Sequence, residues 1–226
     1  REKAGALGVG LEGVELRDPA TDSRRAAFEA EYVQLRQHKG VTPEIARERV
    51  ALPHYSAALA VRAREAVGFV SGLKSETTPF IPAFEIVKMR EGMKRASTVF
   101  VMAWEDRVYF YADCAMNITP DAETLAEIGR ATAGSARAFG HEPRVAFLSF
   151  STRDSAKDGS IDRVKEAVAL VRKAEPGLLV DGELQFDAAI LPEVARKKCP
   201  DSPLEGRANV FVFPDLNTGN TTHKAV

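Results

Sequence analysis

Short apolar runs of strand length alternate along this chain with segments whose apolar residues recur at helical spacing. The clearest strand candidates are Val67–Val70, Thr98–Trp104, Val108–Tyr111, Val145–Leu148, Leu178–Val180 and Val210–Phe213. Glu105-Asp106-Arg107 is short and polar, so the two runs it joins are predicted to form an antiparallel hairpin. Thr42-Pro43 and Thr119-Pro120 each read as an N-cap with proline at the first helical position. Ser160 or Asp158 should cap a helix over 161–174, where Ile161, Val164, Ala167, Val168 and Val171 share one face. Such alternation predicts an α/β fold. Two α/β lobes with a cleft between them are expected, dividing near Gly92. Residues 1–92 would form part of the first lobe and 93–226 the second. Arg1–Leu7 reads as mid-helix and Thr218–Val226 as a helix cut short, so both ends are expected to be truncated.

Composition narrows the class. The 226 residues are 45% hydrophobic and 28% charged, with a formal net charge of -1, which offers no basic excess for a nucleic acid. The longest apolar stretches fall short of the roughly 20 residues of a helical membrane span. No apolar segment of signal-peptide type follows Arg1-Glu2-Lys3. The two cysteines, Cys114 and Cys199, make neither a disulfide framework nor a metal cluster, which favours a reducing cytoplasm. His38, His54, His141 and His223 lack metal spacing, and no metal site is expected.

Several segments could carry chemistry. Gly8-Val-Gly10-Leu-Glu-Gly13 has the letters of a dinucleotide fingerprint, but a helix precedes it and the strand-like Val14–Leu16 follows, the reverse of what the mechanism needs. Gly8 reads better as a helix C-cap. The polar loop Ser71–Thr78, with Lys74, Ser75, Thr77 and Thr78, directly follows the Val67 run. Hydroxyls, a lysine and free amides at a strand end can hold an anion, though such a loop can equally just cap the next helix over 80–89. Ser149–Lys157 repeats the arrangement with Ser151, Thr152, Arg153 and Lys157. Asp215–Asn220 follows the last strand and opens a helix, where Gly219 would let a ligand approach the backbone or Asp215 would be a plain N-cap. Arg36-Gln-His38-Lys39-Gly40 ends a helix with cations, which either offset its dipole or bind a phosphate. Asp113-Cys114 reads as a buried turn.

Taken together, Glu31–Thr42, Phe110–Asn117, Pro120–Ile128, Glu142–Thr152, Val180–Ala189 and Ala208–Asn220 resemble the phosphate acetyl/butyryl transferase family, in order and spacing over nearly the whole chain. The resemblance implies two α/β/α domains related to the isocitrate/isopropylmalate dehydrogenase group. It implies a homodimeric acyltransferase (the phosphate acetyltransferases) that moves an acetyl group between acetyl phosphate and coenzyme A, with no metal and no tightly bound cofactor. A base would take the thiol proton and the thiolate would attack the acyl carbonyl, while cationic and hydroxyl groups stabilise the developing charge. Carried over, Arg36 matches an arginine that contacts coenzyme A phosphate. Ser75, Thr77 and Thr78 fall in the acyl-phosphate segment, with Lys74 beside them. Ser151, Thr152, Asp215 and Asn220 match positions facing the cleft.

The chain departs from the family pattern in places. Ile81 stands where the pocket loop has an arginine, Asp154 replaces a glycine, and Thr221-Thr-His223 replaces Ile-Gly-Tyr. The family's Asp-Leu-Ser-Arg-Gly segment, which supplies the base, is not among these residues, so the catalytic residue is unassigned. Two other readings stay open: a non-catalytic acyl-CoA-sensing module of the same fold, and a phosphate transferase for a longer acyl group.

Overall fold

Among the described residues the strands all fall in the later part of the chain, where they alternate with helices. A computed structural model describes residues 2–71 and 85–226 and divides the chain into two compact units, Arg1–Arg90 and Glu91–Val226.

The described part of the first unit is helical: α1 (Glu2–Ala6), α2 (Arg25–Arg36), α3 (Pro43–Val50) and α4 (Pro53–Arg62). Phe28 and Tyr32 of α2, Ala46 and Val50 of α3, and Tyr55, Ala58 and Leu59 of α4 bury one another, with Ile86 alongside. Each large side chain fully buried here stabilises by about 2 kcal/mol relative to exposure. Thr42 caps α3 as expected, its hydroxyl accepting from the Ile45 amide at 3.3 Å. Gly40, in the left-handed region at φ 83°, closes the basic turn over 37–39. Gly8, at φ 64°, likewise follows α1 as a C-cap glycine does.

Two strand expectations fail here. Val67–Val70 is not a strand, and Val67 and Val70 are fully exposed. Val14–Leu16 is also irregular, with Val14 and Leu16 half exposed. An apolar run of three or four residues becomes a strand only when a neighbour takes its ladder hydrogen bonds, and none does so among the described residues.

The second unit is a three-layer α/β/α structure. Strands β1 (Phe100–Ala103), β2 (Val108–Ala112), β3 (Arg144–Leu148), β4 (Leu179–Leu184) and β5 (Val210–Val212) form one sheet in the order β1-β2-β5-β3-β4. The predicted hairpin is present: β1 runs antiparallel to β2, closed by the Trp104 amide donating to the Arg107 carbonyl at 2.9 Å. The other pairings are parallel. Alternate residues feed two cores. Phe110, Val145, Phe147, Val180, Val210 and Val212 pack against helices α5 (Ala122–Ala138) and α6 (Gly159–Ala174). Tyr111, Ala146, Leu148, Leu184, Phe211 and Phe213 pack on the opposite face with α7 (Phe186–Ile190) and α8 (Pro192–Lys198). Helix α9 (Leu216–Ala225) follows β5.

All five apolar positions predicted for α6 are buried, and Asp158 is its cap, accepting from the Ser160 amide at 2.8 Å. The cap expected at Thr119 lies at Asp121 instead, whose carboxylate accepts from the Thr124 amide at 2.8 Å, so α5 begins after Pro120 rather than with it. A charged acceptor three residues ahead of an open amide outcompetes the earlier hydroxyl. Asp113-Cys114 is a buried turn, as its sequence suggested.

Candidate active site

The carboxyl ends of β3 and β5 lie side by side in the sheet, and their exits diverge. From β3 the chain passes to α6 on one face. From β5 it passes to α9, whose His223 stacks on Phe100 within the opposite core, ring centres 4.2 Å apart. A crevice opens at such a divergence. Here it is a pocket of about 440 Å³. Leu148, Phe186 and Phe213 give it apolar walls, while Ser149, Ser160, Thr218, Thr222 and Asp215 present oxygens to it.

Helical geometry brings those oxygens in. Ser160 stands in the first turn of α6, and Thr218 and Thr222 stand one turn apart on α9. Both helices therefore reach the pocket by their N-terminal ends, where unpaired N–H groups and the dipole favour an anion. Arg163, one turn into α6, donates to the Pro214 carbonyl at 3.3 Å on the pocket wall, and its Nε is buried without a partner among the described residues.

The expected site residues are placed as follows. Asp215 lines the pocket, but its carboxylate is also the cap of α9, accepting from the Thr218 amide at 2.8 Å and the Thr218 hydroxyl at 2.9 Å. The N-cap reading of Asp215 holds. Ser151 and Thr152 are buried one step behind the pocket. The Ser151 hydroxyl donates to Glu183 at 3.0 Å, and the Thr152 hydroxyl accepts from the Gln185 amide at 2.9 Å. Asn220 donates to the Cys114 carbonyl at 2.9 Å. Arg36 belongs to the first unit and reaches Glu85 at 3.5 Å; Glu85 also accepts the Tyr32 hydroxyl at 2.8 Å. Burial, with the Glu85 hydrogen bond adding to it, holds Tyr32 well above the ordinary tyrosine range, so it stays a neutral donor. Lys74, Ser75, Thr77 and Thr78, with Ile81, lie outside the described residues.

Two ligand readings are revised. Arg153 is engaged within the unit: its guanidinium meets Asp181 at 2.7 Å and Asp201 at 3.1 Å. Burial works against that charge, but the two carboxylates outweigh it and hold Arg153 above its ordinary range. What approaches the backbone at Gly219 is not a ligand but the Asp113 carbonyl, which leaves no space for a Cβ.

Sequence reasoning passed over Ser160, Thr218 and Thr222. Their signal was the i, i+4 spacing behind an Asp N-cap, legible once α9 is known to start at Leu216. Among the described residues no group of three or more His, Cys, Asp or Glu is placed to hold a metal. Neither cysteine is poised as a nucleophile. Burial, reinforced by Asp113, pushes the Cys114 thiol up to about 12, and burial raises Cys199 as well. No helix of the described residues is long and apolar enough to cross a membrane.

A family model for phosphate acetyl/butaryl transferase matches residues 1–226. The chain belongs to that family. Phosphate acetyltransferase of Bacillus subtilis is 44% identical over 223 residues, covering 98% of this chain and 69% of that protein. Phosphate acetyltransferase of Escherichia coli is 44% identical over 225 residues, covering 99% of this chain and 31% of that protein. The chain thus spans about a third of the length of the longer relatives it matches. Among solved structures, EutD phosphotransacetylase from Staphylococcus aureus superposes with a TM-score of 0.84 at 41% identity, covering 99% of this chain and 69% of that one. A phosphotransacetylase from Streptococcus pyogenes gives 0.87 at 39% identity, covering 99% and 68%. As a member of the phosphate acetyl/butaryl transferase family, the chain carries the fold its sequence resemblance implied.

Proposed function

We propose that the whole protein of which this chain is a part, or the whole, is a phosphate acetyltransferase, interconverting acetyl phosphate plus coenzyme A with acetyl-CoA plus phosphate, as a cytoplasmic homodimer. The observation that carries this reading is identity of 43–45%, held over 99% of the chain, to proteins named phosphate acetyltransferase. The pocket between β3 and β5 is suited to the anionic half of the reaction. Its hydroxyls and two helix N-termini fit a phosphoryl group, and its aromatic walls limit water.

In the transfer, the coenzyme A thiol gives its proton to a general base and the thiolate sulfur bonds to the acyl carbonyl carbon. The bond from that carbon to the phosphate oxygen then breaks, and phosphate leaves with the electron pair. Ser149 and Thr222 would donate to the phosphoryl oxygens, fixing the carbonyl in line with the incoming sulfur, while the Ser160 and Thr218 hydroxyls give their protons to the capping carboxylates Asp158 and Asp215. Arg36 would hold a coenzyme A phosphate, which its partly exposed guanidinium suits. By the family resemblance, Lys74, Ser75, Thr77 and Thr78 are further acyl-phosphate residues. This chain's residues are thereby assigned to binding and orientation, and none to the thiol proton.

The test is thioester formation from acetyl phosphate and coenzyme A by the full-length gene product. Turnover is expected, faster with acetyl than with butyryl phosphate. Acetyl-CoA binding without turnover would overturn the reading in favour of a sensing module, and a preference for butyryl phosphate would revise the acyl group.

A further inference from the structure

The loop after β3 carries two consecutive non-glycine residues, Arg153 and Asp154, in the left-handed backbone region, at φ 52° and 59°. Such a conformation persists only where surrounding contacts hold it. Three side chains or amides on β4 and just after it supply them. Asp181 takes Arg153, the Gln185 amide donates to the Thr152 hydroxyl, and Glu183 Oε1 accepts both the Ser151 hydroxyl at 3.0 Å and the Asp154 amide at 2.7 Å.

Glu183 is the unusual member. Asp181 is buried against two arginines, Arg153 and Arg172. Glu183 is only 2% exposed, yet no cation pairs with it among the described residues; its donors are a hydroxyl and a main-chain amide. A buried carboxylate held by a hydroxyl and an amide, with Lys165 acting on it only at longer range, is costly to folding, so its presence calls for a task beyond stability. The hydrogen bonds show where its influence goes. Ser151, gripped by Glu183, donates its own amide to the Ser149 hydroxyl oxygen at 3.2 Å, and Ser149 lines the pocket. The Ser151 amide takes one lone pair of the Ser149 oxygen and so orients the hydroxyl, whose proton is free to give.

We propose that Glu183 is a positioning residue: through Ser151 it aims the Ser149 hydroxyl as a donor to the anionic end of the acyl phosphate. This rests on the transferase reading above. Glu183 touches no substrate. It holds the strained turn, and the turn holds the donor.

The test uses the full-length protein with Glu183→Gln, Glu183→Leu, Ser151→Ala and the Glu183→Leu/Ser151→Ala double variant. Steady-state kinetics are measured for each substrate, and hydrogen exchange at the Asp154 amide is followed. Glu183→Leu is expected to lower kcat/KM for acetyl phosphate about a hundredfold, with KM for coenzyme A within about twofold. Glu183→Gln keeps an acceptor of the same shape and should stay within about threefold of wild type. Ser151→Ala should lose about tenfold, and the double variant should be no worse than Glu183→Leu, because the two act in one chain. The Asp154 amide, protected in the wild type, should exchange at least about tenfold faster in Glu183→Leu. Wild-type acetyl phosphate kinetics in a folded Glu183→Leu, or unchanged exchange at Asp154, overturns the proposal. If Glu183→Leu does not fold, unchanged acetyl phosphate kinetics in Ser151→Ala overturns it instead. A wild-type protein without turnover sinks the transferase reading, and the aiming of Ser149 at an acyl phosphate with it, even where the amide is seen to loosen.

Discussion

Asn220 on α9 donates its side-chain amide to the carbonyl of Cys114 at 2.9 Å, joining the last helix to the turn after β2 across 106 residues of sequence. One residue earlier, Gly219 rests directly against the carbonyl of Asp113. Together these contacts set where α9 begins, and so where Thr218 and Thr222 meet the pocket.

Gly219→Ala should therefore displace α9. A Cβ there runs into main chain, which cannot swing aside as a side-chain tip does. A loss of about 2–3 kcal/mol in urea unfolding is expected. Gly159→Ala, at a helical glycine with open space around it, should change stability by less than about 0.5 kcal/mol or raise it slightly.

Arg36 is about a quarter exposed and only loosely held by Glu85 at 3.5 Å. In the full-length protein, Arg36→Ala should weaken coenzyme A binding about tenfold while leaving the unfolding midpoint nearly unchanged. Titration calorimetry decides: equal affinity in the variant would reduce Arg36 to a partner of Glu85.

Asp113 links stability to pH. Burial alone would raise its carboxyl, but donors from Thr98, the Ala115 amide and Asn117 reverse that and hold it below the usual carboxylate range. A folded value below the unfolded one means the contribution is whole above about pH 4 and is lost as pH falls through the folded value. Denaturation midpoints should drop in that acid window for the wild type. Asp113→Asn should be less stable at neutral pH and show a shallower acid slope.

Asp154 occupies a left-handed position where the family pattern has glycine. Its compensation is an exposed ion pair with Lys165 at 2.7 Å, which is worth at most about 1 kcal/mol. Asp154→Gly removes the steric cost and keeps the amide that Glu183 accepts, so stability should stay level or rise by about 0.5 kcal/mol. A drop of more than about 1 kcal/mol would show that the Lys165 pair anchors the turn.

Much of the second unit was legible before any coordinates. Each strand of its sheet and the apolar face of α6 follow from periodicity, because their side chains alternate or recur against a core that is continuous. Val67–Val70 has the same kind of letters and is no strand, because pairing is a property of two segments and the run specifies only one. The Thr119 cap was misplaced for a related reason: Thr119 and Asp121 both suit an N-cap, and only the geometry of Thr124 chooses between them.

By itself the sequence determined the element types of the second unit, the Thr42 cap, the turn at Asp113-Cys114 and the family, and it narrowed the cap of α6 to Asp158 or Ser160. These depend on short-range spacing and on motifs that survive as strings. Only the tertiary structure decided which polar side chains reach the pocket. Ser149 and Ser151 are neighbours in the same loop, yet one lines the pocket and the other turns inward to Glu183. Arg153 carries the charge a phosphate wants, yet Asp181 and Asp201 claim it. A side chain's partner is settled by which strands lie adjacent and how a loop is bent between them, and that information belongs to the pairing of β3 with β4 and β5 rather than to any one segment.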